Sequence, residues 1–84
     1  MNFILTKHAQ DKLIEREIPL FLVQSVLENP EQIVEERGKN VYQSRVEING
    51  RTQLLRVVTN DQVEPVIVVT VYPTSQISRY WRTN

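Results

Sequence analysis

Leu5, Ala9 and Leu13 recur every fourth residue with Ile14 beside them, and the positions between are mostly polar. That spacing predicts an amphipathic helix over Lys7 to Arg16. Thr6 stands just before it, where a hydroxyl can accept from a free amide of the first turn. Leu22, Val23, Val26 and Leu27 form a second apolar stripe after Pro19. Proline has no amide hydrogen to lose in a first turn, so a second helix is predicted from there. Pro30 ends it at Glu28 or Asn29.

Beyond Pro30 the period changes from helical to alternating. Ile33 to Arg37 reads as a short strand and Gly38-Lys39-Asn40 as its turn. Val41 to Ile48 and Arg51 to Thr59 read as strands joined by Asn49-Gly50, a pair suited to a tight hairpin because both turn positions need positive φ. Asn60 to Pro65 is a polar loop. Val66 to Tyr72 is β-branched and nearly continuous, which predicts a buried central strand stopped by Pro73. Ser75 to Arg82 shows no period. The whole is one α+β domain over residues 1–84, helices first and an antiparallel sheet after them.

A two-residue turn at Asn49-Gly50 fixes register. Ile48 then pairs with Arg51, Arg45 with Leu54, and Gln43 with Arg56. Gln43, Arg45, Glu47, Thr52, Leu54 and Arg56 share one face, and Tyr42, Ser44, Val46, Ile48, Leu55 and Val57 the other. The second set is more apolar and is expected to meet the helices. In the last strand Ile67, Val69 and Val71 are expected to join it, leaving Thr70 and Tyr72 beside Arg45 and Arg56 on an open face. Two guanidiniums, a hydroxyl and a phenol there can hold a phosphodiester and an adjacent base. The plainer alternative is a solvated face with pairs such as Arg45 and Glu47.

Composition narrows the chemistry. There is no cysteine and one histidine, His8, which excludes disulfides, thiolate catalysis and multi-histidine metal sites. The longest apolar run, Val66 to Val69, is too short to span a bilayer. The N-terminus lacks a basic start and a long apolar stretch, so a cytoplasmic protein is expected. Ten basic residues balance ten acidic ones. Net charge thus gives no support to nucleic-acid binding, but the basic residues concentrate after Glu36, so any anion site is expected there. His8 lies in a polar arc with Lys12, Glu15 and Arg16, and its imidazole suits proton transfer near neutrality. A surface histidine in a first helical turn is the alternative. Arg79-Tyr80-Trp81-Arg82 can stack bases and hold phosphates, or can anchor the tail over a core edge.

Taken in order, Thr6-x-His8-Ala9, Arg16-x-Ile18, Asn29-Pro30, Arg56-Val57-Val58, Val68 to Tyr72 and Arg79-Tyr80 form a pattern. The chain resembles domain-of-unknown-function family 4258, which looks related to the RelE-like and BrnT-like toxins of toxin–antitoxin pairs. The resemblance implies two N-terminal helices packed on one face of a curved antiparallel sheet of about four strands, RelE-like. It implies a metal-independent endoribonuclease acting on RNA, without cofactor, held inactive by a cognate antitoxin protein. The residues expected to carry catalysis are His8 as acid or base, Arg56 and Arg16 on the phosphate, and Tyr72 on a base or the leaving group. Arg45, Gln43, Thr70, Arg79 and Tyr80 are expected to bind RNA. RelE-like nucleases are strongly basic whereas this chain is neutral. Two other readings follow: a non-catalytic protein- or nucleic-acid-binding module, and a self-associating domain whose Val66–Tyr72 or Ile33–Arg37 edge pairs in a homodimer.

Overall fold

In the computed structural model, which describes residues 1–83, Thr6 caps the first helix by accepting from the Ala9 amide at 3.0 Å. Its hydroxyl also donates to the Val69 carbonyl at 2.8 Å, tying the helix start to the sheet. Helix α1 spans Lys7–Glu15 and buries Ala9 and Leu13. It ends with Glu17 in the left-handed region at φ 54°. There the Glu17 amide donates to the Ile14 carbonyl and the Ile18 amide to that of Leu13. This double closure places Ile18 against Leu13 in the core and turns the chain into α2. Helix α2 spans Leu20–Glu28, with Pro19 as its N-cap, and buries Val23, Val26 and Leu27.

The sheet has five strands, not about four, and it is mixed. Strand β1 (Phe3–Leu5) precedes the helices, followed by β2 (Gln32–Glu36), β3 (Lys39–Ile48), β4 (Arg51–Asn60) and β5 (Val66–Thr74). Their spatial order is β1-β5-β4-β3-β2. β1 pairs parallel with β5 and every other pair is antiparallel. Three residues are too few to display an alternating period, so β1 leaves no mark in the sequence pattern. It covers one edge of β5 as far as Val68, leaving β2 as the free edge at the sheet's other end. Of the two strands considered for self-pairing, the Ile33 strand is an edge along its whole length and β5 only beyond Val68.

The β3–β4 hairpin follows the expected register, with Gln43 opposite Arg56 and Ile48 opposite Arg51. Asn49 and Gly50 both have positive φ, at 53° and 76°, as this turn requires. The preceding hairpin differs from expectation. Arg37 and Gly38, at φ 52° and 78°, form its two-residue turn, and Lys39 already belongs to β3 opposite Glu36.

The last strand needs a larger correction. Thr70 lies opposite Val58 but Val68 lies opposite Thr59, so Val69 is an extra residue that shifts the alternation. Val68 and Val71 consequently meet the helices, together with Leu55 and Val57. Ile67 and Val69 are only half-buried and belong to no part of that cluster. Pro73 does not stop the strand. It stands opposite Leu55 on a stretch of β5 that β1 does not cover, where a missing amide hydrogen is tolerated.

The opposite face of the sheet is not open. Gln43, Arg56, Val34, Val41 and Leu54 lie on it and all are buried. The segment after Thr74 folds back across this face through a short helix α3 (Ile77–Tyr80). No helix among the described residues is long and apolar enough to cross a membrane.

Candidate nucleic-acid interface

The tail-covered face centres on Arg56, which is 1% exposed. Burying a guanidinium is costly unless its donors are met. Residues from three other strands, β2, β3 and β5, meet them. Nε donates to Gln43 Oε1 at 2.8 Å, Nη1 donates to the Tyr72 hydroxyl, and Nη2 donates to Glu36 Oε2. The Tyr80 ring lies over the same guanidinium, 4.3 Å from centroid to Cζ. Burial works against the Arg56 charge, but the bonds to Glu36 and Tyr72 outweigh it and the net shift is upward.

Gln43 extends the network to the tail. Its Nε2 donates to Gln32 Oε1 and to the Tyr80 carbonyl at 2.9 and 3.2 Å. Gln32 in turn donates to the Arg82 carbonyl and accepts from the Arg82 amide. Two glutamines thus clasp the chain on both sides of Trp81. No buried side-chain polar atom among the described residues lacks a partner.

Beside this network runs a cleft of about 410 Å³, lined by Glu36, Arg37, Lys39, Val41, Arg56, Val58, Tyr72, Arg79 and Tyr80. Four cations and two phenols face one carboxylate. Arg37, Lys39 and Arg79 are exposed and stand at its rim. Arg56 is committed to its partners and supplies charge from beneath. Tyr72 accepts from Arg56, so its own O–H remains available to donate into the cleft. Such a set can hold an anion by charge-assisted bonds and flank it with aromatic rings.

The structure brings together Gln43, Arg56, Tyr72, Arg79 and Tyr80 from the expected set, and Thr70 shares their sheet face. Arg45 lies farther along that face, bound to Glu31 by two bonds from its guanidinium at 3.1 and 2.8 Å and not to Glu47. Glu47 accepts instead from Thr52. His8 and Arg16 belong elsewhere. Both are exposed, His8 on α1 and Arg16 at its C-cap, and the buried residues of α1 pack against Leu55, Val57, Val68 and Val71. Arg56 alternates with Leu55 and Val57, so the sheet separates it from α1. His8 and Arg56 cannot serve one active site. The expectation failed because helix periodicity places His8 on a face without saying which side of the sheet the helix takes.

Glu36, Arg37 and Lys39 went unrecognised in the sequence. Their signal was the Arg37-Gly38 pair, which as a two-residue turn sets Glu36 opposite Lys39 on the Arg56 face. Among the described residues no group of three or more His, Cys, Asp or Glu is placed to hold a metal ion.

Fold and cleft define the class: a small α+β domain with α1 and α2 on one face of a mixed sheet and a tail-covered, cation-lined cleft on the other. The chain belongs to the family described as a domain of unknown function (DUF4258), whose model matches residues 5–73. The match ends before α3, so Arg79, Tyr80 and Trp81 lie outside it. No curated protein and no solved structure matches the chain.

Proposed function

We propose that this domain binds RNA through the tail-side cleft, with a backbone phosphate held by Arg37, Lys39 and Arg79 above the buried Arg56. One observation carries the reading: a chain with zero net charge gathers four cations around one carboxylate in a single cleft. Focusing of charge at a concave site favours an anionic ligand whatever the total charge is. Fluorescence anisotropy of a labelled single-stranded RNA across a salt series tests it. Affinity should fall steeply with salt, and Lys39→Ala and Arg79→Ala should each weaken binding and flatten the slope by about one ion. Absence of binding by the folded protein at low salt rejects the reading.

A second reading is a metal-independent endoribonuclease of a RelE-like toxin, held inactive by an antitoxin protein that caps the same cleft with carboxylates. The free Tyr72 proton beside the Glu36 carboxylate favours it. In that chemistry a ribose 2′-hydroxyl attacks the adjacent phosphate and gives its proton to Glu36. Tyr72 protonates the departing 5′-oxygen, leaving a 2′,3′-cyclic phosphate and a 5′-hydroxyl. His8 takes no part. Expression of the chain alone should then degrade cellular RNA, and Tyr72→Phe should slow cleavage by about 10²–10⁴ while leaving RNA affinity near wild type. Intact RNA beside demonstrable binding rejects cleavage and leaves the binding module.

A further inference from the structure

A second groove, of about 530 Å³, lies on the same tail and is lined by Arg45, Ile77, Ser78, Trp81 and Thr83. Its aromatic wall is Trp81, which is half-buried. Arg45 lies under that ring with Cζ 4.6 Å from the centroid. The guanidinium is itself held by Glu31 through its paired bonds, and the Arg45 amide adds a third at 2.7 Å. The Gln32 clasp on Arg82 fixes the chain immediately after Trp81. The indole is therefore braced on its Arg45 face, which lowers the side-chain freedom a stacking partner must take away. Ser78 and Thr83 contribute hydroxyls to the same groove, each able to donate or accept.

The geometry points to this groove as a nucleobase-stacking subsite: an unpaired base of the RNA strand whose phosphate occupies the cation cleft stacks on Trp81. The inference rests on the RNA-binding reading above. Tyr80 lines the phosphate cleft and Trp81 lines the second groove, so consecutive residues face the two sites. A strand crossing the C-terminal end of α3 passes from one to the other. A stacked base must be out of a duplex, so the site selects single-stranded over double-stranded RNA. An indole serving only to anchor the tail would use its Arg45 face alone and would be indifferent to bases.

Trp81 is the one tryptophan of the chain, so its fluorescence reports this groove. The full chain is titrated with a short uridine oligonucleotide bearing 2′-O-methyl riboses, which cannot be cleaved. Anisotropy of the same strand carrying an end label is followed in parallel. Inorganic polyphosphate, which has the charge and no bases, is the second titrant. Saturable quenching of Trp81 by the oligonucleotide, with displacement but no quenching by polyphosphate, is expected. Trp81→Leu, which keeps an apolar anchor, should weaken the oligonucleotide about 5- to 100-fold while polyphosphate affinity is unchanged. Trp81→Phe should recover most of the loss. Rising anisotropy without quenching, or equal quenching by polyphosphate, overturns the stacking subsite and leaves the RNA-binding reading intact. Flat anisotropy rejects that reading and the subsite with it.

Discussion

The Tyr80 ring lies 4.3 Å over the Arg56 guanidinium, so one buried cation on β4 holds both the sheet and the tail that covers it. Arg56 is a structural charge as well as a cleft residue. Removing its side chain strands Gln43 Oε1 and leaves the Glu36 carboxylate with only the more distant Arg82 guanidinium, 3.9 Å away. Arg56→Ala should cost roughly 3–5 kcal/mol, the usual penalty for breaking a buried ion pair from one side. Arg56→Lys should recover only part, because an ammonium cannot reach three strands from one plane. Urea denaturation checks both. A loss of under 1 kcal/mol for Arg56→Ala would show that the network carries little of the fold. Lost RNA binding in this variant is uninformative unless the protein is shown to be folded.

Arg37 separates stability from function. It sits at the cleft rim with φ 52°, the left-handed region that side chains other than Asn and Asp enter at a cost. Its neighbour Gly38, at φ 78°, completes a two-residue turn like that of Asn49-Gly50. Arg37→Asn gives both hairpins the same favoured turn pair and should raise stability by about 0.5–1 kcal/mol. It also removes a rim cation and should weaken RNA binding most at low salt, flattening the salt slope by about one ion. Thermal melting and anisotropy on one preparation read the two effects. A variant both less stable and unchanged in binding would remove Arg37 from the site.

The parts of the fold readable from the sequence are those governed by local rules. Thr6 capped α1, the Val23 and Leu27 stripe became core, and Asn49-Gly50 fixed the Gln43–Arg56 register. What escaped depends on partners distant in the chain. β1 is three residues long and exists because β5 receives it in parallel. The bulge at Val69 is invisible in a run of β-branched residues, where every position looks equally apolar. The tail's path depends on Gln32, Gln43 and Arg56, which lie far from it in sequence. The candidate site was legible only in part for the same reason. Gln43, Arg56 and Tyr72 were joined by register, whereas the side of the sheet taken by α1 decided against His8.

The bulge makes a direct test of the core. Val68 is fully buried among Leu55, Val57 and Val71, whereas Val69 stands half-buried outside that cluster. Val68→Ala should cost roughly 1.5–3 kcal/mol by removing two packed methyl groups and leaving a cavity. Val69→Ala should cost well under half of that. Denaturant midpoints of the two variants measure the order, and its reversal would mean that the strand alternates without a bulge.

The last prediction concerns pH and centres on Asp61. Its carboxylate accepts from Asn40 Nδ2 at 2.9 and 3.1 Å and from the Tyr42 hydroxyl at 2.9 Å. The Asn40 bond first, and the Tyr42 bond after it, hold the Asp61 carboxyl below its ordinary 3.8. Arg45 similarly holds Glu31 below 4.5, chiefly through the side-chain hydrogen bond. Between each lowered value and the ordinary one the unfolded chain binds more protons, so stability rises with pH across that window. The contribution is fully present above it and is lost as pH falls through the folded-state value. Tyr42 has the opposite sign. Burial first, and the bond to Asp61 next, push its phenol above 10. Its contribution is complete below pH 10 and is lost as pH climbs through the raised value. Urea midpoints should therefore be level from about pH 5 to 9 and fall on both sides. Asp61→Asn should cost about 1.5–3 kcal/mol at neutral pH by removing the charged acceptor. It should also shallow the acid limb and the alkaline limb together, since Tyr42 then keeps only the push of burial. An acid limb unchanged in Asp61→Asn but shallowed in Glu31→Gln would assign the whole effect to the Arg45 pair.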